Sequence, residues 1–208
     1  MSDRLERFGI AAGAIAALLW LVGVFLLEGA GNPAGPSGGQ EIVDFYRDDR
    51  VAILIAATLH GLGGFLFLWF LGSLRGLLDG AAAPRWLTAT MFAGGVAGAA
   101  LMLALMGGQS TGATTDKDLL TADSALVFWR LAHGFFVAAE IALAAFLGAL
   151  SILALRGVLL PRWLGWFGLV VTILLLIPPV GWLALLFLLP LWLVVASVVL
   201  WRKPASVS

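Results

Sequence analysis

Four ionisable side chains sit in stretches that are otherwise apolar: His60, Arg130, His133 and Glu140. An ionisable group in hydrocarbon is costly, so each one marks a ligand, an ion or a proton path. The chain has no other histidine than His60 and His133. Arg130, His133 and Glu140 are separated by three and seven residues, a spacing that puts them on one stripe of a helix. Such a stripe can attract an anion at Arg130 and relay a proton at His133, because imidazole titrates near neutral pH.

Depth decides which groups can meet. Aligning Arg50 with Arg130 as boundary anchors sets His60 level with Glu140, near the middle of the span. His133 then lies about 10 Å above them, at about 1.5 Å per residue. That register predicts a His60–Glu140 contact and a site that binds or conducts a small solute or a proton. Aligning Leu59-His60-Gly61 with Ala132-His133-Gly134 instead brings the two histidines face to face. They could then ligate one haem b axially and serve electron transfer. A third reading gives the histidines only backbone or hydroxyl partners that join helices, and makes the chain a structural or accessory subunit.

The elements that must position these residues are membrane helices. Of the 208 residues, 62% are hydrophobic and 12% charged, against about 45–50% and about 25% in soluble domains. The apolar residues form blocks at about 8–27, 51–74, 86–106, 125–155, 163–177 and 180–201. A stretch of about 20 such residues spans a bilayer. The expected fold is therefore all-α: a polytopic membrane bundle of six transmembrane helices in a single domain, 1–208. The fifth block is short, and Pro178-Pro179 with Gly181 makes a turn after it. Pro190 should kink the sixth block. The first block continues to Leu27 without a small-x-small cleavage site and reads as a retained helix.

Charge gives the orientation. With the N-terminus cytoplasmic, that side carries Arg4, Arg7, Arg75, Arg85, Arg156, Arg162, Arg202 and Lys203, eight of the twelve basic residues. The other side receives Arg47, Arg50, Lys117 and Arg130 against Glu28, Glu41, Asp44, Asp48, Asp49, Asp116, Asp118 and Asp123. This is the positive-inside pattern, with both termini inside. Trp69, Trp86, Trp163, Trp166 and Trp201 fall at the inner boundary, and Trp129 and Trp182 at the outer one. Outside, Gly29–Gly39 reads as a flexible loop. It leads to a short amphipathic helix on the outer surface, with Ile42, Phe45 and Tyr46 on its apolar side. The stretch Gly107–Ser124 reads as an irregular polar loop.

Two segments look duplicated. Leu74-Arg75-Gly76 leads to Pro84-Arg85-Trp86-Leu87, and Leu155-Arg156-Gly157 leads to Pro161-Arg162-Trp163-Leu164. Helices 2–3 and 4–5 would be parallel copies of one hairpin, an arrangement that often places a ligand at the repeat interface. Boundary anchors alone could also produce the match. Gly94 with Gly98, and Gly9 with Gly13, are small-residue faces for internal packing or for pairing with a second copy or another membrane protein. The absence of cysteine excludes disulfides and thiolate metal sites. No catalytic or phosphate-binding motif is present, and no basic patch suggests nucleic acid.

The segments Phe128-Trp129-Arg130-Leu131-Ala132-His133-Gly134 and Pro161–Gly168, with Leu189-Pro190-Leu191-Trp192, resemble uncharacterised small six-helix integral membrane proteins of high-GC Gram-positive bacteria. The likeness covers about the last 80 residues. It implies six helices and a bacterial plasma membrane, and no activity.

Overall fold

The computed structural model describes residues 2–33, 38–116 and 118–202, without the side chains of residues 2–4 and 6. Lys117, Lys203 and residues 34–37 of the expected loop lie outside them, as do the side chains of Asp3, Arg4 and Glu6. The described chain is helical: α1 (Ser2–Gly29), α2 (Gly39–Asp48), α3 (Arg50–Gly80), α4 (Arg85–Thr114), α5 (Ala122–Leu155), α6 (Arg162–Leu175), α7 (Pro178–Leu183), a π-helical segment (Ala184–Leu188) and α8 (Leu189–Trp201). Among them are five spans long and apolar enough to cross a membrane: Arg7–Gly29, Arg50–Gly80, Arg85–Thr114, Ala122–Leu155 and Pro178–Trp201. Large apolar side chains such as Phe25, Leu62, Phe65 and Ile141 point outward, as a lipid-facing surface requires. The chain has the build of a helical membrane protein.

The expected span that falls short is the fifth, 163–177. Helix α6 has 14 residues, about 21 Å at 1.5 Å per residue, against about 30 Å of hydrocarbon. The two hairpins compared in the sequence therefore differ: α4 has 30 residues and α6 has 14. Both returning helices begin just after a proline, Pro84 or Pro161, whose missing N–H costs nothing there.

The helices run alternately up and down. Helix α1 packs on α3, α3 on α4, α4 on α5 and α5 on α6, and α8 closes the ring against α1. The guanidinium of Arg7 lies 5.8 Å from the Trp201 ring, so both ends of the described chain share one end of the bundle. We call this the terminal end and the opposite one the distal end.

The terminal half is held by close backbone approach. A Cβ at Gly94 would lie 2.6 Å from the Phe146 amide nitrogen, and one at Gly98 would lie 2.5 Å from Leu143. Gly9 sits against Ser73, and Gly13 against Phe70 and Ser197. Both small-residue faces therefore serve internal packing. Across the bundle, Phe67 meets Phe146 at 5.4 Å and Phe146 meets Trp192 at 6.5 Å, all three fully buried.

Two local expectations need correction, and a third takes a specific local form. The stretch Gly107–Ser124 is not an irregular loop throughout: α4 runs on to Thr114, and α5 starts at Ala122. The hydroxyls that look loop-like donate to carbonyls one turn back, Ser110 to Met106 at 2.8 Å and Thr114 to Ser110 at 2.7 Å, which satisfies them inside a helix. Helix α2 does not lay its apolar side on a lipid surface. Ile42, Val43, Phe45 and Tyr46 are buried, packed chiefly on α5, and Arg47 donates to the Leu120 carbonyl at 3.3 Å. Finally, the disturbance caused by Pro190 takes the form of the π-helical turn just before it, which absorbs the hydrogen bond proline cannot make.

Candidate functional site

The distal half opens into a cavity of about 900 Å³. It is bounded by α1, α3, α4, α5, α7 and the π-helical segment, and three of the four sequence-selected residues line it: His60, Arg130 and His133. Glu140 does not.

His60 is fixed from two sides. Its Nδ1 lies 2.8 Å from the Ala56 carbonyl and donates to it, which makes Nε2 the acceptor or ligand atom. The ring fits against α1 because Gly23 has no side chain to displace it. Below, the indole of Trp20 donates to the His60 carbonyl at 3.2 Å, and it reaches that carbonyl across Gly63. His60 is 3% exposed.

On α5 the His133 ring lies in an aromatic ladder. It is stacked on Trp129 at 5.7 Å with 5° between planes, and on Phe136 at 6.3 Å with 13°. The i+3 and i+4 spacing of these three residues puts them on one face. Arg130, one turn distal to His133, is exposed at the rim. No other described residue forms a hydrogen bond or ion pair with it. Glu28 of α1 shares the rim, and its carboxylate accepts from Asn32 at 3.3 Å.

The expected His60–Glu140 contact is not formed. Among the described residues the one ion pair is Arg75–Asp79, so no carboxylate lies within 4.0 Å of either histidine. Arg130, His133 and Glu140 do follow one stripe of α5, but α7 covers its lower part. A Cβ on Gly181 would lie 2.8 Å from Glu140 Oε1, so α7 closes over the carboxyl at a glycine, and a side chain there would make the carboxyl shift. His60 meanwhile turns toward α1, held by the Ala56 carbonyl.

The direct Phe67–Phe146 contact has an offset of 79 (146 − 67), close to the 80 of the anchor register (140 − 60). Farther out, α4 intervenes, with Gly64 against Leu103 and Gly108 against Ala132. Carried along α4, these contacts bring His60 and His133 to neighbouring levels of one cavity.

Gln109 carries no charge and does not stand out in the sequence as the four ionisable residues do. It lines the cavity, is 8% exposed, and its Oε1 has no partner among the described residues. Its signal was present: Met102, Met106 and Gln109 follow helical spacing and share the lining. Above it, Tyr46 of α2 covers Gly112 of α4. Its hydroxyl is also buried without a partner among the described residues, and burial raises its pKa above the ordinary tyrosine value. No group of three or more His, Cys, Asp or Glu with metal-binding geometry occurs among the described residues. No protein-family model matches the chain, and neither a curated protein nor a solved structure matches it.

Proposed function

We propose that this protein crosses a bacterial plasma membrane six times, with the terminal end in the cytoplasm, and binds a small solute from outside in the distal cavity. One observation carries the reading: His60, Arg130 and His133, polar residues selected for being out of place in hydrocarbon, line a single cavity. The charge pattern supports the orientation, because Arg7, Arg75, Arg85, Arg156, Arg162 and Arg202 gather toward the terminal end. Six crossings need α6 and the turn after it to pass through together, which its short length permits where the bilayer thins. The duplication of hairpins remains part of this proposal, on the shared Pro-Arg-Trp-Leu. The cavity is a binding site more than a conduit, since buried Phe67, Phe146 and Trp192 fill the bundle beneath it.

Native mass spectrometry of the protein released from its own membrane tests the reading. The wild type should carry a bound small molecule, and Met106→Trp, which fills the cavity, should lose it. A wild type without any adduct, or an equal adduct in the variant, would refute it.

A specific observation also favours a second reading, a haem b held by His60 and His133. Both line one cavity, and the backbone bond at His60 Nδ1 leaves Nε2 available, as in orienting contacts to metal-bound histidines. A Soret band after haem supplementation, lost in His60→Ala and in His133→Ala, would establish it. No band ends it.

A further inference from the structure

We infer that the cavity takes an amphipathic organic acid: a single anionic group, an apolar body, and a hydroxyl or amine that donates a hydrogen bond. The inference rests on the cavity being a ligand site and names the chemistry of its occupant.

The polar atoms left without partners define the complement. Gln109 Oε1 is an acceptor on a side chain more than nine-tenths buried, and no other described residue satisfies it. His60, a buried residue on the same cavity, offers a second acceptor at Nε2, because its Nδ1 is committed as donor to Ala56. A buried acceptor without a donor is costly, and both residues line a space large enough for an organic molecule. The protein therefore asks its ligand for donors at these points.

Arg130 asks for the opposite. It is a cation on the same wall, and no described carboxylate lies within 4.0 Å of it. A guanidinium pairs most strongly with a planar carboxylate, through two parallel hydrogen bonds. Gly108 rests against Ala132, so Gln109 and Arg130 belong to neighbouring levels of α4 and α5, and one molecule can meet both. Glu28 on the rim disfavours multiply charged anions such as phosphate. Between the polar points the wall is thioether and ring, Met102, Met106, Trp129 and Phe136. These surfaces suit a flat or branched apolar body.

The test uses three probes of one shape on the protein in lipid nanodiscs. These are 6-hydroxy-2-naphthoate, its methyl ether, which lacks the donor, and its carboxamide, which lacks the charge. Energy transfer from tryptophan reports binding. The hydroxy acid should bind about tenfold more tightly than either analogue, the effect of losing one good polar contact. Arg130→Gln should equalise acid and amide, and Gln109→Leu should narrow the gap between hydroxyl and ether. Failure of the hydroxy acid to bind, or equal binding of all three probes, overturns the ligand class. If Met106→Trp still removes a native adduct, the cavity reading survives that failure. Undiminished probe binding in Met106→Trp places the probe elsewhere and overturns the ligand class as well.

Discussion

The two halves of the bundle are built from the same helices and pack in opposite ways. Toward the terminal end, Gly94 lets α4 close on the backbone of α5, and buried Phe67, Phe146 and Trp192 fill the middle of the bundle. Toward the distal end, Met102, Met106, Trp129 and Phe136 instead stand around an open cavity of about 900 Å³. In lipid there is little hydrophobic gain in bringing helices together, so dispersion contacts and hydrogen bonds decide where a bundle closes. The distal half forgoes such contacts around its cavity. Rigidity and vacancy are thus separated along the same helices, one half supplying the frame for the other.

The largest expected effect tests the frame. Gly94→Ala would press a methyl onto the Phe146 amide and the Ala142 carbonyl, at 2.6 and 2.7 Å. Backbone atoms cannot rotate aside, so the substitution should cost about 3 kcal/mol in unfolding assays in detergent, the upper part of the overpacking range. Gly107→Ala, with open space before it, should instead gain up to about 1 kcal/mol from helix propensity. Equal effects at the two positions would erase the contrast between the halves.

A smaller effect belongs to the seam between them, where α7 closes over Glu140. Gly181→Ala should cost about 1–2 kcal/mol through the crowded carboxyl. Glu140→Ala in the same chain should return most of that loss, because the two positions are in contact and their effects should couple. Simple additivity of the two substitutions would mean that Gly181 does not close on the carboxyl.

Much of the frame could be read directly from residue order. Long apolar blocks locate the helices, because backbone groups in lipid must bond within a helix. Basic residues and exposed tryptophans mark their ends. The polar stripe on α5 was legible as well, since a charged group inside a span has few tolerable positions. Two features were not. Hydroxyls at Ser110, Thr111 and Thr114 mimic a loop until their bonds to the preceding turn are seen, and that concealed Gln109. The partner of Glu140 was hidden because a glycine on another helix carries no signal of what it touches. His60 was misdirected for a related reason: which neighbour a ring turns to depends on Gly23, 37 residues away in sequence (60 − 23).

The smallest effect concerns the helix that roofs the distal half. Tyr46 is fully buried, and no described group bonds its hydroxyl. Tyr46→Phe removes the stranded oxygen and keeps the ring over Gly112. The variant should be as stable as the wild type, or more stable by about 1 kcal/mol, because the wild type bears the desolvation of an unpaired hydroxyl. A loss on substitution would mean that the hydroxyl has a partner. The pH dependence gives a separate check with a fixed sign. Burial raises the folded-state pKa above the unfolded value of about 10. Above that pH the unfolded chain loses the phenol proton and the folded chain keeps it, so stability should fall as pH rises. Tyr46 is the chain's only tyrosine, so phenolate absorbance reports it alone. The folded protein should show no phenolate until well above the pH at which the unfolded chain ionises, and Tyr46→Phe should lose stability less steeply over that window. A phenolate signal from folded protein near pH 10 would place the hydroxyl in water and open the roof that α2 provides.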